Sequence, residues 1–129
     1  MEPEECRVLI IKGSEEIRMY TKEILEKINF KARNIFMPDN TDKALELIKA
    51  GSINLVLSES ESGFELLRGL KRTGLRERIT FIFYTGGGEA YARKITEKYG
   101  ADGFIVLPIT LDIFSEKITR ILKKMQWHI

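Results

Sequence analysis

The chain is short of most residues that carry familiar chemistry. It has one cysteine, Cys6, and one histidine, His128. Those counts exclude a disulfide framework and a zinc site built from this chain's own cysteine and histidine ligands. A Ser–His–Asp or Cys–His mechanism would have to use His128, next to the chain end and a poor seat for a rigid base. No apolar run approaches the roughly 20 residues needed to cross a membrane. The opening MEPEEC is acidic and polar and has no signal-peptide core. A cytoplasmic protein with no membrane partner is expected. An excess of one charge is also missing. The net charge is +2, with lysines and glutamates interspersed, so nucleic-acid binding has little electrostatic support.

What is present is the composition of a folded domain. The 129 residues are 43% hydrophobic and 31% charged, enough for one real core. A single domain over residues 1–129 is expected, with its core at about 6–125.

The pattern alternates strand and helix. Arg7–Ile11 reads as a first strand, and Ser14 as the cap of a helix whose apolar face is Ile17, Ile24, Leu25 and Ile28. Lys31–Met37 holds a second, less apolar strand. Pro38-Asp39-Asn40-Thr41 reads as a turn and cap before a helix with Ala44, Leu45, Leu47 and Ile48 on one face. Ile53–Leu57 is a third strand, and Phe64, Leu66, Leu67 and Leu70 mark a third helix that stops near Gly74. Ile79–Tyr84 is a fourth strand, followed by Thr85-Gly86-Gly87-Gly88 and a helix over Glu89–Tyr99. Phe104–Leu107 is a fifth strand ended by Pro108. Thr110 then caps a last helix that buries Ile113, Phe114, Ile118, Ile121 and Leu122.

Strands alternating with helices through short loops imply βαβ units. The fold class is α/β: a doubly wound five-stranded parallel sheet, order 2-1-3-4-5, with helices on both faces. Sites in such folds lie beyond the C-terminal strand ends. The residues there are Lys12 and Gly13, Ser58 and Glu59, Thr85, and Leu107 with Pro108.

RVLIIKGSEEIR, NLVLSE followed by GFELLRGLK, FIFYTG and GADGFIVLPI occur in that order. Together they resemble the CheY-like receiver domain of bacterial two-component response regulators, over about Arg7 to Lys123. The resemblance implies a regulatory module rather than an enzyme. In that family two adjacent acids after the first strand bind magnesium; here the positions hold Lys12 and Gly13. The phosphoacceptor aspartate, five residues beyond the position of Asn54, is matched by Glu59. The hydroxyl switch residue is matched by Thr85 and the switch aromatic by Phe104. The phosphate-binding lysine before proline is replaced by Leu107 before Pro108. The loop after the acceptor is about four residues shorter than usual.

These departures bear on the chemistry. Magnesium needs oxygen ligands, usually including carboxylates, and it neutralises the phosphate oxygens during transfer. Lys12 adds a cation, Gly13 has no side chain, and Leu107 has no charge. Glu59 would move its carboxylate by about 1 Å relative to aspartate, enough to lose in-line geometry. The expectation is a pseudo-receiver with no metal or cofactor that signals without phosphorylation. A receiver phosphorylated by an atypical route is one alternative. A small nucleotide-binding or catalytic α/β domain using the Gly86–Gly88 loop is another.

Several residues carry two readings. Glu59 is either a built-in mimic of a phosphorylated aspartate, reaching Thr85 with Lys12 in place of the metal, or a partly solvated residue. Ser58, Ser60 and Ser62 read as a polar, mobile loop. Thr85 and Phe104 are either a switch pair or a strand-end hydroxyl and a core ring. Lys94, Lys98, Phe104, Lys117 and Arg120 outline a candidate partner face for a signalling protein, an output domain or a second copy of the chain; the alternative is a solvated charged surface. Trp127 is open between docking, continuation into a further domain, and exposure.

Overall fold

The computed structural model describes residues 1–11 and 13–125; Lys12, Trp127 and His128 lie outside the described residues. The elements run β1 (Val8–Ile11), α1 (Glu15–Lys27), β2 (Ile35–Phe36), α2 (Thr41–Lys49), β3 (Leu55–Ser58), α3 (Ser60–Thr73), β4 (Thr80–Thr85), α4 (Glu89–Tyr99), β5 (Gly103–Val106) and α5 (Leu111–Met125). The strands form one sheet in the order β2-β1-β3-β4-β5. All four pairings are parallel, as the alternation of elements implies.

Two cores sandwich the sheet. Val8, Ile10, Leu55, Leu57, Ile82 and Tyr84 point to one face, where α1 contributes Ile24 and Leu25 and α5 contributes Phe114, Ile118 and Leu122. Leu9, Ile11, Val56, Phe81 and Phe83 point to the other, beneath Ala44 and Ile48 of α2, Leu66, Leu67 and Leu70 of α3, and Ile95 of α4. The strands are apolar in both directions because both sheet faces are covered. Each such side chain, moved fully out of water, contributes about 1.5–3 kcal/mol.

Local chemistry starts and stops the helices as expected. Ser14 Oγ accepts from Ile17 N at 3.2 Å, and Asn40 Oδ1 accepts from Lys43 N at 2.9 Å. Gly74 and Gly100 end α3 and α4 in the left-handed conformation, with φ of 75° and 72°.

Four expectations are corrected. The second strand is not Lys31–Met37: Ala32–Asn34 form a 3-10 turn, and Ile35–Phe36 alone pair with β1. Asn34 drives this, because its buried amide donates to Glu4 O at 3.2 Å and its oxygen accepts from Arg7 Nη1. The third strand begins at Leu55 rather than Ile53; just before it, the Arg7 N–H is taken at 2.8 Å by the side-chain Oδ1 of Asn54 rather than by a backbone carbonyl. Ser58 to Ser62 are not a loop: Ser58 ends β3, and α3 starts at Ser60. Ile113 is 49% exposed rather than buried. The inward stripe of α5 is Phe114, Ile118, Leu122 and Met125, and Ile113 sits about 100° round the helix from Phe114.

Candidate functional site

The strand ends bring Gly13, Glu59, Tyr84 and Thr85 to one edge of the sheet. β1 ends at Ile11, and Gly13 then turns the chain with φ of +126°, a conformation that suits glycine and few other residues. A Cβ on Gly13 would lie 3.2 Å from Tyr84 Oη and 3.7 Å from Ile17 Cγ2. The bare backbone therefore leaves room for a phenol arriving from β4.

β3 passes directly into α3. Ser58 is fully buried and donates from Oγ to Glu59 O at 2.9 Å, and Glu59 N donates to Ile11 O at 3.3 Å. Glu59 occupies the cap position of α3, yet its side chain accepts no hydrogen bond from the helix amides. Its half-buried carboxylate stands at the pocket. Gly63 lets α3 sit close: a Cβ there would be 2.5 Å from Phe83 Cε1 and 2.9 Å from Ser58 Oγ.

Tyr84 is the residue that sequence reasoning missed. It is 3% exposed, and its phenol is held protonated far above the ordinary range. Burial is the main cause; the Glu59 carboxylate adds to it and the Arg18 guanidinium opposes it. Glu59, Arg18 and Tyr84 thus act on one another at the edge where Gly13 makes room. Arg18 Nε is buried with no hydrogen-bond partner among the described residues. The sequence held only a faint signal, a phenol at the penultimate residue of β4.

Thr85 is buried, and its Oγ1 accepts from Gly87 N at 3.1 Å. No hydrogen bond joins it to Glu59. The glycine loop is accounted for locally: one amide goes to Thr85, Tyr91 covers Gly87 so that a Cβ there would lie 2.7 Å from the ring, and Gly88 enters α4 with φ of 89°. Leu107 donates from its backbone N to Thr85 O at 2.8 Å, and its side chain packs on the core between the sheet and α1/α5. The Leu107–Pro108 peptide is cis and Pro108 is exposed.

The expected partner face is regrouped. Phe104 is half-buried on the edge strand, with the Arg93 guanidinium 5.5 Å and the Lys117 ammonium 5.7 Å from its ring centroid. Phe104, Lys117 and Arg120 also line a groove of about 330 Å³ between β5 and α5 with Asp102, Ile121 and Lys124. Asp102 is committed at its foot: Oδ2 accepts from Phe81 N at 2.7 Å and pairs with Arg76 at 3.1 Å. Lys98 instead lies 5.4 Å from the Tyr99 ring, which stacks on Phe64 of α3. Lys94 is exposed about 100° round α4 from Arg93. Arg93, which the sequence reading passed over, is the α4 cation that meets Phe104.

Among the described residues no helix is long and apolar enough to cross a membrane. Cys6 is buried, and burial pushes its thiol up to about 12. It stays protonated and unreactive near neutrality.

No family model matches the chain. The chain is 23% identical over 125 residues to the chemotaxis protein CheY of Pseudomonas aeruginosa, covering 92% of this chain and 98% of that protein. Among solved structures it is similar to a CheY-like response regulator receiver domain protein of Methanospirillum hungatei, at 26% identity and a TM-score of 0.76, covering 96% and 98% of the two chains. It is also similar to the chemotaxis response regulator CheY4 of Vibrio cholerae, at 16% identity and a TM-score of 0.74, covering 90% and 98%. The fold is the flavodoxin-like CheY receiver fold. The sequence and structural likenesses are all to response regulators of the CheY receiver type, and this chain is receiver-like in its fold.

Proposed function

We propose that this chain is a pseudo-receiver: a non-enzymatic signalling module that works without aspartyl phosphorylation and acts by protein contact. The observation that carries the reading is the set of side chains at the reactive positions. Glu59 stands at the acceptor position, Gly13 offers no ligand, and Leu107 is turned into the core. The magnesium that the receiver resemblance implies does not fit them. It wants several oxygen ligands including carboxylates. Among the described residues no group of three His, Cys, Asp or Glu side chains converges to hold a metal. Glu59 meets a neutral phenol instead of a second acid.

The working surface is the face along α4, β5 and α5. Arg93 and Lys117 flank Phe104, and Arg120 and Lys124 line the adjoining groove; Arg93 pairs with Glu89 at 3.1 Å and Arg120 with Glu116 on their own helices. A half-buried ring between two cations suits a protein surface that offers an apolar residue beside an acidic one. Nucleic acid is a poorer match, since the net charge of the chain is only +2.

Incubation with acetyl phosphate and magnesium followed by intact mass tests the reading. No mass increase is expected. Stoichiometric gain of one phosphoryl group would overturn it in favour of a receiver charged by an atypical route.

A further inference from the structure

We infer that Tyr84 closes the metal corner of this pocket, its phenol occupying the space beside Gly13 that an acidic side chain there would need. The inference rests on reading the pocket as a receiver's and says how that pocket was lost: by filling, not by the removal of acids alone. Three observations support it. A Cβ on Gly13 would lie 3.2 Å from Tyr84 Oη, so the phenol would have to give way for it, and 3.6 Å from Cε2, in van der Waals contact with the ring. The ring cannot retreat outward, because Tyr84 is 3% exposed and belongs to the core between the sheet and α1/α5. The Glu59 carboxylate, at the acceptor position, acts electrostatically on the same phenol, which agrees with the phenol lying at this corner. A neutral phenol brings one weak oxygen where a hard cation wants anionic ones.

Two positions far apart in the sequence are therefore coupled. Gly13 is bare in part because Tyr84 is large, and Tyr84 fits because Gly13 is bare. Restoring the acid at residue 13 alone leaves the phenol in its way. Tyr84 also precedes Thr85 in β4, so a ring fixed in the core fixes the strand end that carries the hydroxyl.

Manganese binding to the wild type, Gly13→Asp, Tyr84→Val and the double variant tests this, with free Mn²⁺ followed by electron paramagnetic resonance and folding checked by thermal melting. The double variant is expected to bind at least tenfold more tightly than the wild type or either single variant. Equal binding by Gly13→Asp alone, or a folded double variant that binds no better than the wild type, overturns the inference. If the double variant does not fold, the cycle of Gly13→Ala with Tyr84→Phe replaces it. The backbone strain of alanine at residue 13 is common to both backgrounds and cancels. Gly13→Ala is expected to lower the melting temperature less when Tyr84 is phenylalanine; an equal drop in both backgrounds overturns the inference. Neither experiment depends on phosphorylation, so uptake of a phosphoryl group by the wild type would defeat the functional reading while the cycle still measured the Tyr84–Gly13 contact.

Discussion

The pocket at the ends of β1, β3 and β4 and the face along β5 belong to one sheet but are built to opposite rules. In the pocket, polar groups are turned inward: Ser58 Oγ donates to Glu59 O, Thr85 Oγ1 takes Gly87 N, and the Tyr84 phenol is buried beside Gly13. On the face, Phe104 is half-buried and Arg93, Lys117 and Arg120 stand around it at the surface. Packing has filled the region where a receiver does chemistry. The face proposed for partner contact keeps an open groove. Substitutions in the pocket should therefore cost stability, and substitutions on the face should cost binding.

The largest expected effect is Gly63→Ala. Its methyl would lie 2.5 Å from Phe83 Cε1 and 2.9 Å from Ser58 Oγ. Overpacking of this kind costs ~1–3 kcal/mol and can cost more. Urea unfolding would measure it, and an unchanged midpoint would show that the pocket floor is loose.

Alkaline pH separates the regions next. Tyr84 and Cys6 both hold their protons more firmly when folded, Tyr84 above an ordinary value of 10.0 and Cys6 at about 12 against 9.0. Their stabilising contribution is fully present below those ordinary values and is lost as pH rises through the folded ones. Stability should thus be flat to about pH 9 and then fall by up to about 1.4 kcal/mol per pH unit for each group. Tyr84→Phe should flatten that fall. A slope unaltered by the substitution would mean that the phenol does not report on the pocket.

Phe104→Ala should cost roughly 1–2 kcal/mol, less than the 3–5 of a fully buried phenylalanine, because its ring is half in water. Smaller still, Lys117→Ala should move stability by no more than about 0.5 kcal/mol, as surface changes do. A drop of several kcal/mol for Lys117→Ala would erase the contrast between a packed pocket and an open face.

Most of the fold was legible because apolar period and caps agree: Ser14, Asn40, Gly74 and Gly100 mark helix ends where they belong. The second strand was not, since Asn34 uses tertiary partners at Glu4 and Arg7 that no local pattern reveals. The site was half legible. Position relative to strand ends found Gly13, Glu59, Thr85 and Leu107. It could not find Tyr84, because a tyrosine in a β-prone run reads as core until its Oη is seen beside Gly13. Nor could helical spacing alone say that Arg93, and not Lys98, turns to Phe104.

The central claim is that no phosphoryl chemistry in the pocket drives the face. Amide spectra of the ¹⁵N-labelled protein, recorded before and after adding magnesium with beryllofluoride as a phosphoryl analogue, test it most directly. The Glu59, Thr85, Arg93 and Phe104 signals are expected to stay where they are. Concerted saturable shifts at Glu59 and Thr85 that extend to Arg93 and Phe104 would contradict it.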